Sequence, residues 1–101
     1  MSLRQFIERN YSEHGKFERI KNPTSPHRDL CAMLILSKFM GTNKGSVINC
    51  AESDKGNGSG LVVFEPAIHD VESLATDKDV IDLIRCGVRY NSEFHALVMD
   101  I

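Results

Sequence analysis

The sequence predicts an α+β domain, a small antiparallel sheet of three or four strands packed against two or three helices in the order ααββαβ. Three observations carry that expectation. Apolar side chains in the first forty or so residues recur with helical spacing, and those between 46 and 65 fall in short β-branched runs. Gly, Pro and Asn punctuate the chain between these runs. Helices first and adjacent strands later favour helices layered on one face of an antiparallel sheet. At 101 residues, 42% hydrophobic and 26% charged, the whole chain, 1–101, is expected to share one core. There is no Trp and only 7% aromatic content, so that core must be aliphatic.

The first helix is expected from Ser2 to about Glu13, because Leu3, Phe6, Ile7 and Tyr11 form one stripe between a capping Ser2 and a stopping Gly15. Lys16 to Pro26 then reads as an exposed loop. The second helix has Ser25 as cap, Pro26 in its first position and Gly41 as its end. Its Leu30–Leu36 run, with Phe39 and Met40, is apolar on nearly every face, which predicts the central buried helix.

Ser46–Ala51 and Gly60–Glu65 read as two strands joined by the polar, glycine-laden stretch 52–59, an antiparallel hairpin with a long mobile loop. Pro66 ends the second strand, and a turn or short helical piece follows from about Ile68 to Ala75. Thr76 and Asp79 then make a capping signature ahead of Val80, Ile81, Leu83 and Ile84, and Gly87 stops that helix. Val88–Tyr90, a turn at Asn91-Ser92, and Phe94–Ile101 predict a closing hairpin or a single final strand. As a central strand the last segment is core; at the sheet edge it would be a template for pairing with another chain.

Composition also bounds function. No window approaches about 18 uninterrupted apolar residues, so no membrane span is expected. The N-terminus carries Arg4, Glu8 and Arg9 where an export signal needs an apolar centre. Cys31, Cys50 and Cys86 are odd in number and widely spaced, which reads as reduced thiols in a cytoplasmic protein. Residues 1–45 hold eight Lys/Arg against four Asp/Glu, and 46–101 hold four against ten. That polarity suits an anionic partner, self-association of unlike faces, or internal complementarity.

The motifs that would carry catalysis fail on context. His27-Arg28-Asp29-Leu30 spells the start of a kinase catalytic loop, yet Leu34 stands where a metal-holding Asn is needed. Gly56–Gly60 runs from strand to strand, whereas a phosphate loop must open a helix. His27 and Cys31 share the spacing of two metal ligands or of a Cys–His nucleophile, but no Cys-x-x-Cys or His-x-x-x-His completes a site. Asp77, Asp79 and Asp82 cluster where a helix dipole favours acids. No Gly-x-Ser-x-Gly elbow occurs.

The expectation is therefore a non-catalytic protein-interaction or regulatory module, homodimeric, with no cofactor, no metal and no catalytic residues. Its expected contact residues are Lys16, Arg19, Lys21, Lys55 and Asn57, from the basic half and the hairpin loop. A nucleic-acid-binding protein using residues 1–45, with Tyr11 and Phe17 beside the cations and the hairpin as wing, is the first alternative. Only Lys38 and Asn43 would be placed to read bases. A small thiol- or metal-dependent enzyme is the second alternative.

Overall fold

A computed structural model describes residues 2–40, 45–53 and 60–100, which form four α-helices and one antiparallel sheet of strand order β1-β2-β4-β3. In chain order the elements are α1 (Leu3–Arg9), α2 (Arg28–Ser37), β1 (Ile48–Ser53), β2 (Gly60–Phe64), α3 (Ile68–Leu74), α4 (Asp77–Cys86), β3 (Val88–Asn91) and β4 (Ala96–Asp100). The α+β class stands. The expected order gains one helix, α3, and one strand, because the C-terminal segment closes as a hairpin.

Ser2 caps α1, its hydroxyl accepting from the Gln5 N–H while the Gln5 side chain accepts from the Ser2 N–H. The first free N–H of the helix, that of Leu3, is taken by Glu72 of α3 at 2.6 Å. The helix stops at Asn10, and the expected continuation to Glu13 is a separate 3₁₀ turn, Tyr11–Glu13. The Asn10 side chain bonds the Phe6 carbonyl at 2.9 Å and competes with helix propagation there. A second 3₁₀ turn, Phe17–Arg19, lies in the stretch expected as loop.

The start of α2 is displaced from the expected cap. His27 is the N-cap and contributes no side-chain bond, while the buried Ser25 hydroxyl accepts from the His27 N–H instead. Beyond Ser37 the backbone tightens to i→i+3 bonds, Phe39 to Leu36 and Met40 to Ser37, and the expected Gly41 stop lies outside the described residues.

The central helix is α4, not α2. Its capping box forms as predicted, with the Asp79 N–H donating to the Thr76 hydroxyl and the Thr76 N–H to the Asp79 carboxylate, both at 3.1 Å. Gly87 ends it at φ +102°, a left-handed conformation in which a Cβ would also stand 2.9 Å from Arg28 Nη1. Between these caps Val80, Leu83, Ile84 and Cys86 are buried. Both 3₁₀ turns, α1, α2 and β3 contact this helix.

Only part of α2 is core. Cys31, Ala32, Ile35 and Leu36 are buried, whereas Leu30 and Leu34 are 45% and 42% exposed. The all-round apolar run therefore does not make a fully buried spine.

In the sheet, β1 pairs with β2 with a register shift between Ile48 and Cys50, and β4 lies between β2 and β3. The final strand is thus interior, and the edge-template expectation for it does not hold. Val62 and Phe64 of β2, Val88 of β3, and Leu97 and Met99 of β4 turn one pleat into the shared core with the helices. Val63 and Val98 pair directly across the other pleat and are buried as well. Among the described residues, no helix is long and apolar enough to cross a membrane.

Candidate functional site

The expected contact residues fall in unlike surroundings. Lys16 precedes the second 3₁₀ turn and is half-buried. Arg19, at the end of that turn, donates from Nη1 to Glu13 at 2.9 Å, and its carbonyl accepts from Arg85. Burial of the Glu13 carboxyl works to raise its pKa, but the Arg19 and Arg85 guanidinium groups outweigh it and hold the pKa below the usual range. Arg85, Glu13 and Arg19 thus form one ion-pair network bracing α4 against the 3₁₀ turns. Lys21 is exposed and lines a concavity of about 90 Å³ with Asn22, Thr24, Lys38, Asp79 and Asp82. Lys55 and Asn57 lie outside the described residues.

The charge polarity between the chain halves is partly spent inside the fold. Lys38 of α2 pairs with Asp79 of α4 at 3.3 Å, joining the basic half to the acidic one. Lys78 bonds Asp82 at 2.8 Å along α4, and that carboxylate raises the lysine's pKa. Internal complementarity therefore accounts for several of these charges.

Long-range folding brings together two thiols that sequence spacing kept apart. Cys31 of α2 and Cys86 of α4 are both buried, and the Cys31 thiol acts electrostatically on that of Cys86. The Thr24 hydroxyl also reaches Cys31 Sγ at 3.6 Å. Burial, and then the neighbouring Cys31 thiol, push the Cys86 pKa far up. A thiol held protonated in this way is a poor nucleophile and a poor ligand. His27, which shares the helix with Cys31, is exposed at its start. Among the described residues, no three His, Cys, Asp or Glu side chains are grouped to hold a metal ion.

Two surface features have the geometry of contact sites. The first is the outer face of α2, where Leu30 and Leu34 stand one turn apart with half-buried Met33 beside them and Ser37 a turn further on. Asp29 flanks this stripe at one end, its carboxylate accepting from the Leu30 N–H, and Lys38, paired with Asp79, flanks it at the other. Exposed single leucines are ordinary, but adjacent ones on one helical stripe are an apolar patch.

The second is a cleft of about 230 Å³ between α1 and β3, one edge strand of the sheet, lined by Arg4, Ile7, Glu8, Tyr11, Arg89, Tyr90 and Ser92. The Arg4 guanidinium lies over the Tyr90 ring, 5.4 Å from its centroid. The Tyr90 hydroxyl meets His95 Nδ1 at 2.7 Å, and His95 takes a left-handed backbone, φ +50°, in the β3–β4 turn. Tyr11 is 52% exposed and stacks one face on His14, centroids 4.8 Å apart.

Neither feature was readable from spacing. The apolar α2 run gave no stripe to choose, and the cleft joins residues from opposite ends of the chain. Tyr11 and Arg4 on one helix, with Arg89-Tyr90 in a predicted strand, are the sequence traces of the second. Compared with protein-family models, curated proteins and solved structures, the chain matches none.

Proposed function

We infer that this chain is a non-catalytic protein-interaction module that pairs with a second copy of itself through the outer face of α2. The observation that supports the reading is the stripe Leu30–Leu34, 45% and 42% exposed on a helix whose other face is core. A two-fold dimer must present the same patch on both partners, so the patch has to complement itself. The α2 sequence meets that demand in antiparallel pairing. Placing Met33 against Leu34 of the copy sets Leu30 against Ser37, and the symmetry repeats each pair. Opposed helix dipoles favour the same orientation.

Covering what is now exposed would gain roughly 1 kcal/mol per leucine. Four such leucines only match the low end of the association cost, about 4 kcal/mol or more. The dimer is therefore weak, well above micromolar in Kd, and its population follows concentration. The basic N-terminal half supports the nucleic-acid alternative less well, because Arg19 and Lys38 are already bound to carboxylates.

Sedimentation velocity across a concentration series tests the reading. The wild-type mass should rise toward twice the monomer value. Leu34→Glu should keep it at monomer. Circular dichroism checks that the variant stays folded. A wild-type monomer at every concentration, or a Leu34→Glu protein that still pairs, overturns the proposal.

A further inference from the structure

We propose that the cleft between α1 and β3 binds an aryl oxyanion, a single aromatic ring carrying a phosphate group. The site shares no residue with the α2 face and does not depend on the pairing inferred there.

Size comes first. About 230 Å³ falls short of the roughly 300–1,000 Å³ of drug-sized ligand pockets, and suits one ring with one charged group. The polar lining then sets the charge. Arg4 donates from Nε to Glu8, and Arg89 donates from Nε and Nη2 to Asp100. Both Nη groups of Arg4, Nη1 of Arg89 and the Ser92 hydroxyl have no protein partner among the described residues. The surplus in the cleft is thus of donors, and a ligand must bring acceptors. Phosphate brings three oxygens and is matched by guanidinium better than by any other side chain.

The aromatic half of the ligand is set by Tyr11. One face of its ring is taken by His14 and the side chain is half-exposed. The buried Ile7 of α1 supplies an apolar floor. Asp100, paired with Arg89, and Glu8 are the opposing charges, and the Glu8 pair with Arg4 leaves both side chains more than half exposed, at 64% and 57%. Such a pair is weakly held and yields to a competing dianion.

The ligand chemistry has two sources, a free aryl phosphate or a phosphotyrosyl side chain of a peptide, and the probes separate them. Titrations of labelled protein would follow amide resonances with phenyl phosphate, inorganic phosphate, phenol and a short phosphotyrosyl peptide. Phenyl phosphate should move Arg4, Tyr11, Tyr90 and Ser92 and bind on the order of tenfold tighter than inorganic phosphate. Phenol should bind more weakly still. A peptide that binds tighter than phenyl phosphate assigns the peptide source, and one that binds no tighter assigns the free molecule.

Arg4→Gln should weaken phenyl phosphate on the order of tenfold, while Arg9→Gln, outside the lining, should change nothing. Both residues are exposed, and the amide spectrum of each free variant reports its fold. Phenyl phosphate that binds no tighter than inorganic phosphate overturns the proposal. So do shifts elsewhere on the molecule, or an Arg4→Gln affinity equal to wild type.

Discussion

Helices α2 and α4 are each ten residues long, and the more apolar of the two buries fewer of its residues. Seven of the ten α2 residues, in the run Leu-Cys-Ala-Met-Leu-Ile-Leu, are apolar, while α4 alternates three aspartates, a lysine and an arginine with its apolar positions. Yet α4 carries Val80, Leu83 and Ile84 into the core on one stripe, and of its charges only Asp82, paired with Lys78, is buried. In α2 the buried stripe includes the small Cys31 and Ala32, and two of its leucines remain outside. Burial follows where a stripe lands and what surrounds it, not mean apolarity. The outward leucines of α2 are then the residues left over for a partner.

Truncating a leucine on each helix sharpens that contrast most. Leu83→Ala removes a side chain that is 2% exposed, on a helix that five other elements contact, and should cost about 2–5 kcal/mol. Leu34→Ala, at 42% exposed, should cost no more than roughly 0.5 kcal/mol in dilute protein. Urea unfolding monitored by circular dichroism measures both. Equal losses would mean that α2 is the spine after all.

The same contrast separates what the sequence makes legible from what it does not. Local signals survive: the Thr76–Asp79 box, the Gly87 stop and the short helical piece before them are set by residues within one turn of each other. The two hairpins follow from glycine and asparagine punctuation. The first helix was overextended because Tyr11 keeps the apolar period although Asn10 breaks the backbone. Strand order was not legible, since β4 enters between β2 and β3 by long-range pairing. The meeting of Cys31 with Cys86 and the cleft between Arg4 and Arg89 belong to the same class: each is made by packing, and no local pattern encodes it.

The helix ends differ as the faces do, and α4 again holds the stronger position. Thr76→Ala removes a hydroxyl that accepts from the Asp79 N–H and should cost about 1 kcal/mol. Partial burial works to raise the Asp79 pKa, but the Thr76 N–H and the Lys38 ammonium outweigh it and hold the carboxyl below the usual range. A carboxylate held lower in the folded than in the unfolded chain contributes stability above about pH 4, lost as pH falls through its folded value. Asp79→Asn should therefore flatten the acid side of the stability curve, read as urea midpoints from pH 7 downward. A curve of unchanged slope would place the acid sensitivity elsewhere.

The smallest effect is expected at the start of α2, where the chain has left a position unused. His27 has the extended backbone of an N-cap, φ −98° and ψ 123°, but its side chain makes no capping bond. The Leu30 N–H that a cap would satisfy is bonded instead by the Asp29 carboxylate at 2.9 Å. His27→Ser offers that N–H a hydroxyl in the usual capping geometry and releases Asp29 toward the outer face of the helix. The gain should be only about 0.5 kcal/mol, because one acceptor replaces another. A urea midpoint that rises slightly in His27→Ser, and falls in Thr76→Ala, would show two helices of one length held by opposite means: α4 by its caps and its stripe, α2 by the neighbours it leans on.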